Sequence, residues 1–160
     1  MAHLADRQLV EYFHRSYKAV DGLWFMKVEE KYGFNVALEI DKEVWKVMPK
    51  IQARMIKSML SKGDSKAAFL ESLTAKLAVE GFKFTAEQQA NGFRIQITDC
   101  PWHNLMVKSG REAYSGKVGS AICTVEYSVW ASEFDGNMRF TLRTQKCTGS
   151  EHCTLDFERC

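Results

Sequence analysis

The sequence predicts an α+β domain: N-terminal helices followed by ββααββ, with a four-stranded antiparallel sheet. Three observations carry this reading. Apolar residues recur at three- and four-residue steps through the first eighty positions. The period then drops to two at Phe82 and Phe84, and again at Phe93, Ile95 and Ile97. It drops once more at Met138, Phe140 and Leu142. The chain has 160 residues and no stretch that reads as a linker. We therefore expect one domain over 1–160, with a helical part (1–80) and a sheet-containing, cysteine-bearing part (81–160).

Leu9, Phe13, Tyr17, Val20, Trp24 and Val28 form one apolar stripe, predicting a helix from about residue 5 to Tyr32. Gly22 marks a bend in it and Gly33 a stop. A second helical run carries Ala37, Ile40, Val44, Met48, Ile51, Met55 and Met59 in register. Pro49 lies inside that run, where it removes a backbone donor and crowds the Trp45 carbonyl, so a kink is expected. Ser65 offers an N-cap for a third helix with Leu70, Leu73 and Leu77.

Two strands joined through residues 88–92 follow. Pro101 suits the first turn of a short helix ending near Lys108. A glycine-containing link over 109–119 then leads into a helix with Val118, Ile122, Val125 and Val129 on one face. Asp135-Gly136-Asn137 signals a turn, and the last strand carries Cys153, Leu155 and Phe157.

Composition narrows the function classes. Basic residues number 22 against 20 acidic ones and are scattered, which argues against nucleic acid as a partner. No stretch reaches the roughly 18 apolar residues of a membrane span, and Met1-Ala2-His3-Leu4-Ala5-Asp6-Arg7 lacks a signal-peptide core. A cytoplasmic protein that meets no membrane is the expectation.

Chemistry points to the cysteines. All five (Cys100, Cys123, Cys147, Cys153 and Cys160) lie beyond residue 99, an odd number in a chain read as cytoplasmic. A disulfide framework is not suggested. Cys100 is expected to close the second strand, Cys147 the third, and Cys153 to open the fourth. Alternation turns Cys100 and Cys147 away from the apolar face and Cys153 toward it. Cys123 and Glu126 share one helical turn, and His103 follows Cys100 by three. Cys, His and Glu together form a ligand set for zinc, or for iron or an iron–sulfur cluster where sulfur dominates, although paired C-x-x-C knuckles are lacking. Burial as small hydrophobes is the competing explanation.

Three further features are weaker. Ser115-Gly116-Lys117-Val118-Gly119-Ser120 precedes a helix and reads as a flexible loop sooner than an anion cradle. Met48, Met55, Met59 and Met106 read as core fillers. His14, Asp21 and Trp24 on the first helix form a candidate ligand-binding group, set against a surface pair flanking a core tryptophan.

Over the last sixty or so residues, Cys100-Pro101, Cys123-Thr124-Val125-Glu126 and Gly149-Ser150-Glu151-His152-Cys153-Thr154-Leu155-Asp156-Phe157 carry a resemblance. These segments resemble the L-2-amino-thiazoline-4-carboxylic acid hydrolase family, and the plan is similar to four-vinyl-reductase-like small-molecule-binding domains. The resemblance implies a sheet domain with a ligand pocket and zinc-holding cysteines at its mouth. Its matched residues are Cys100, Cys123, Glu126 and Cys153. His152 stands where that family often has a second, adjacent cysteine.

Three functions are therefore expected, in this order. The first is a small-molecule-binding domain with zinc held by Cys100, Cys123 and Cys147 or Cys153, completed by His103 or Glu126. The second is a hydrolase of a small cyclic amide-like or thiazoline substrate, with Cys123 as nucleophile assisted by Glu126, or with Glu126 as base to a metal-bound water. The third is a dimerisation module using the N-terminal helices to form a homodimer.

Overall fold

A computed structural model of the chain describes residues 3–134 and 136–160. Its helices come first and a four-stranded antiparallel sheet follows, as the α+β reading requires. Contacts divide the chain into two compact units, one up to Asp41 and one from Lys42 onward. The turn signal at Asp135 lies outside the described residues, although Gly136 and Asn137 do form a turn.

The first unit contains helix α1 (Asp6–Tyr32) and most of α2 (Phe34–Trp45). Gly33 stops α1 with φ 83° while its N–H bonds the Glu29 carbonyl at 2.8 Å. That positive-φ conformation is open to glycine at little cost. The helix runs through Gly22 without interruption. Phe25 and Phe34 meet edge-on across the junction at 5.7 Å. The predicted stripe is covered in part: Val28 is buried and Tyr17 half-buried, whereas Phe13 is 65% and Trp24 63% exposed. Among the described residues no helix is long and apolar enough to cross a membrane.

Pro49 does more than kink the second helical run. The helix breaks at Lys46 and Val47, and α3 (Met48–Leu60) begins with Pro49 in its first turn. An interior proline leaves the Trp45 carbonyl without a donor, whereas in a first turn the missing N–H costs nothing. Ser65 caps α4 (Lys66–Val79) as expected, its hydroxyl accepting from the Ala68 N–H at 3.2 Å.

The sheet comprises β1 (Lys83–Gln89), β2 (Gly92–Asp99), β3 (Met138–Thr144) and β4 (Cys153–Arg159), in the order β1-β2-β4-β3. Between β2 and β3 lie α5 (Pro101–Lys108) and α6 (Glu112–Ser132). Alternation sends Phe93, Ile95, Ile97, Leu155 and Phe157 into the core. There Phe69 of α4 meets Phe93 at 5.0 Å and Phe157 at 5.1 Å, while Phe93 and Phe157 stack at 4.7 Å. Each such contact adds about 0.5–1.5 kcal/mol beyond the area it buries.

Two expectations about the segment before Cys123 are corrected. Residues 115–120 are neither a loop nor a helix N-terminus; they lie within α6, which starts at Glu112. The link between α5 and α6 is correspondingly shorter than 109–119. The buried face of α6 is Ile122, Glu126, Tyr127 and Trp130, while Val118, Val125 and Val129 are half-buried.

Gly92 is required by proximity. A Cβ there would lie 1.8 Å from the Phe157 carbonyl oxygen across the β2–β4 ladder. Gly92→Ala should therefore force the central strand pair apart and cost about 2–4 kcal/mol in urea unfolding, the scale of a severe steric substitution.

On the opposite sheet face, fully buried Asp156 is held by Arg94 (2.6 and 2.8 Å) and by Arg143 (2.9 Å). Arg94 first, and Arg143 after it, hold the Asp156 carboxyl below its ordinary range against the opposing effect of burial. A folded value below the unfolded one gives stability that is present above about pH 4 and lost as pH falls through the folded value. Unfolding measured across that range should show this acid limb shrink in Asp156→Asn, with a loss of about 1–3 kcal/mol at pH 7.

Candidate functional site

Four cysteines reach one end of the sheet from four different elements. Cys153 is the first residue of β4 and pairs with Ile97 of β2. Three residues after Ile97, Cys100 caps α5, with Pro101 as its first helical residue. Cys147 lies in a one-turn 3-10 helix (Lys146–Thr148) between β3 and β4. Cys123 sits on the middle of α6.

Two contacts tighten this end. The Lys146 N–H donates to the Cys153 sulfur at 3.2 Å, and the Lys146 ammonium donates to the Thr98 carbonyl at 2.7 Å. The two helical glycines of α6 let the 3-10 turn approach. A Cβ at Gly119 would stand 2.9 Å from the Cys147 sulfur, and one at Gly116 would stand 3.1 Å from the Cys147 carbonyl oxygen. Gly119 is one turn before Cys123, so Cys147 rests on α6 beside it. Glycine within the helix is thus a packing requirement, at a helical cost of about 1 kcal/mol each.

The expected orientations are partly corrected. Cys100 packs against the core, because the strand ends at Asp99 and alternation ceases where the chain turns into α5. Cys147 does not close β3, which stops at Thr144. Cys153 faces the core as expected, alongside half-buried Cys123. Cys160 is exposed, though its N–H bonds the Asn137 carbonyl at 2.8 Å.

The four thiols at the sheet end are held protonated. Burial pushes Cys100 up to about 11, opposed by the backbone N–H groups of His103 and Trp102. Burial raises Cys123 well above the ordinary thiol range, and Glu126, Cys100, Cys153 and Cys147 add to it in that order. Cys147 and Cys153 are raised too, again by burial first. The features that would activate a thiol, the α5 N-terminus at Cys100 and the Lys146 charge beside Cys153, are present but are outweighed by burial.

Glu126 is engaged elsewhere. It faces Lys76 of α4, whose side chain is 2% exposed and whose ammonium bonds the Glu126 carboxylate and also contacts Glu80 at 3.0 Å. Gln52 of α3 donates to Glu80 at 3.2 Å. The faces of Phe82 and Tyr127 flank the ammonium at 5.5 and 5.7 Å. Burial alone would lower the Lys76 pKa, but the two carboxylates more than offset it and raise it. Burial, and then the Glu126 charge, likewise pushes Tyr127 well up.

The remaining candidate side chains have partners other than the sulfurs, although the backbone N–H of His103 reaches Cys100. The His103 Nδ1 lies 3.2 Å from the hydroxyl of Ser115, two helical turns before Cys123 on α6. The His152 Nε2 lies 3.3 Å from the Gln96 amide, on the polar sheet face. His14 and Asp21 are half-buried on α1, and Trp24 beside them is exposed where a core tryptophan was the alternative. Among the described residues no three side chains of His, Cys, Asp or Glu are grouped so as to hold a metal ion. Lys76 and Glu80 escaped the sequence reading. The only available signal was their i, i+4 spacing, which is shared by many exposed helix pairs.

Residues 3–158 match a family described as a family of unknown function (DUF6125). No curated protein and no solved structure matches the chain.

Lys76 should dominate the stability of this region. Lys76→Met removes the buried cation that Glu126 and Glu80 share and should cost about 3–5 kcal/mol in chemical denaturation. Replacing all three with apolar residues of similar volume should recover most of that loss.

Proposed function

This chain belongs to DUF6125, and we propose that it is a small-molecule-binding domain whose binding end is the thiol-lined end of the sheet. Zinc is the ion we assign to that end, through Cys100, Cys123 and Cys153 or Cys147. The observation that supports the reading is the arrival of four thiols at one sheet end from β4, α6, the cap of α5 and the 3-10 turn. The resemblance carried by Cys100-Pro101 and the segment around Cys153 points the same way.

The donor set suits a soft, four-coordinate ion. As they stand, the side chains are not grouped to hold one, so binding has to draw the sulfurs together. It also has to remove their protons, because zinc takes thiolates. With every buried thiol raised, uptake is opposed at neutral pH and strengthens as pH rises toward the Cys100 value of about 11.

The hydrolase alternative meets two obstacles. The Cys123 thiol is held protonated, and Glu126 is paired with Lys76. A thiolate route would require both to change.

The test is zinc titration of chelator-treated protein across pH 7–9, with proton release and free thiols measured together. We expect about one zinc per chain, at least one proton released per ion, and affinity increasing with pH. Cys100→Ala and Cys123→Ala should each abolish uptake, while Cys160→Ser should leave it intact. Absence of uptake at the upper pH, or uptake that survives both alanine variants, overturns the reading.

A further inference from the structure

Helix α1 carries an uncharged face between two opposite charges. At 100° per residue, Leu9, Phe13, Ser16, Val20, Leu23 and Trp24 share one side, with Asp6 at its beginning and Lys27 at its end. All of these apolar residues are exposed. The charges in between (Glu11, Arg15, Lys18 and Asp21) lie off this face. Monomeric proteins rarely leave so continuous an apolar strip in water.

The strip is also symmetric. Asp6 and Lys27, Leu9 and Trp24, and Phe13 and Val20 are each equidistant from the point between Ser16 and Tyr17. These three pairs, with opposite charges at the two ends, make the strip complementary to an inverted copy of itself, although the counterpart of Leu23, Val10, lies off it.

We propose that two copies of this chain pair through α1, antiparallel, about a two-fold axis passing beside Ser16 and Tyr17. Leu9 then meets the partner's Trp24, Phe13 meets the partner's Val20, and Asp6 faces the partner's Lys27 at both ends. This is an isologous interface, in which each contact occurs twice. The small Ser16 side chain at the crossing point lets the helices approach. Within its own helix Lys27 pairs with Glu30 (2.8 Å), and both side chains are exposed, so the pair exchanges readily.

The charge pattern disfavours a lipid surface as the occupant. A helix lying on a membrane has a polar face rich in Lys and Arg. Here α1 carries Arg7, Arg15, Lys18, Lys27 and Lys31 against Asp6, Glu11, Asp21, Glu29 and Glu30, and the two sets cancel. The proposal is independent of the zinc reading, because no residue of the thiol end takes part.

The experiment is sedimentation equilibrium of the full chain over a range of concentrations, at low and high salt. A monomer–dimer equilibrium is expected. Phe13→Glu and Val20→Glu should each give monomer with unchanged helical circular dichroism and thermal midpoint.

A charge cycle then fixes the orientation. Asp6→Lys and Lys27→Asp should each weaken the dimer by about tenfold, and the double reversal should restore it. A parallel pair would show no restoration. The proposal is overturned by a monomer at every concentration, by dimers that survive Phe13→Glu, or by a double reversal that fails to rescue. A monomer destabilised by Phe13→Glu would mean that the strip is covered by its own chain, which also overturns it.

Discussion

The ammonium of Lys76 is the constraint around which the second unit is organised. It belongs to α4, its carboxylates to α6 and to the end of α4, and the amide that steadies Glu80 to α3. Three helices are therefore tied to one buried charge, and each has lost hydration that only the others replace. Such a cluster is weak evidence for net stability, since apolar packing of equal volume often does as well. Its value is geometric. The pair holds the Glu126 side of α6 toward Lys76, and Cys123 stands three residues before Glu126 on that helix.

The thiol end inherits its electrostatics from the same carboxylate. Glu126 stands in the same helical turn as Cys123 and, after burial, is the largest influence holding that thiol protonated. A chain that wanted a permanently ionised nucleophile here would not place a carboxylate beside it. Zinc bound as proposed would have to displace those protons, which would set a pH threshold on its occupancy.

Much of the fold was legible in sequence because it rests on local signals. The alternation at Phe93, Ile95 and Ile97, the cap at Ser65 and the stop at Gly33 each declare themselves within a few residues. The failures share a cause: the deciding partner was distant in sequence. Gly116 and Gly119 look like a loop until Cys147, almost thirty residues on, is seen pressing against them. Glu126 looks like a free acid until Lys76, fifty residues back, neutralises it. Cys100 was assigned to the polar face by extending an alternation one residue beyond the strand that generates it. Spacing could list the cysteines of the site, but the ion pair and close approaches that govern their chemistry lie between elements and have no period.

The strand order has a consequence for synthesis. β4 is made after the other three strands of the sheet, yet it lies between β2 and β3 and supplies both of their inner ladders. While the chain is emerging, β2 and β3 each present an unpaired edge, and the aromatic cluster lacks Phe157. Exposed edges of this kind are templates for pairing with the wrong chain. The second unit is therefore most exposed to such mispairing in the interval between synthesis of β3 and synthesis of β4. The short stretch from Cys153 to Arg159 ends that exposure on both edges at once.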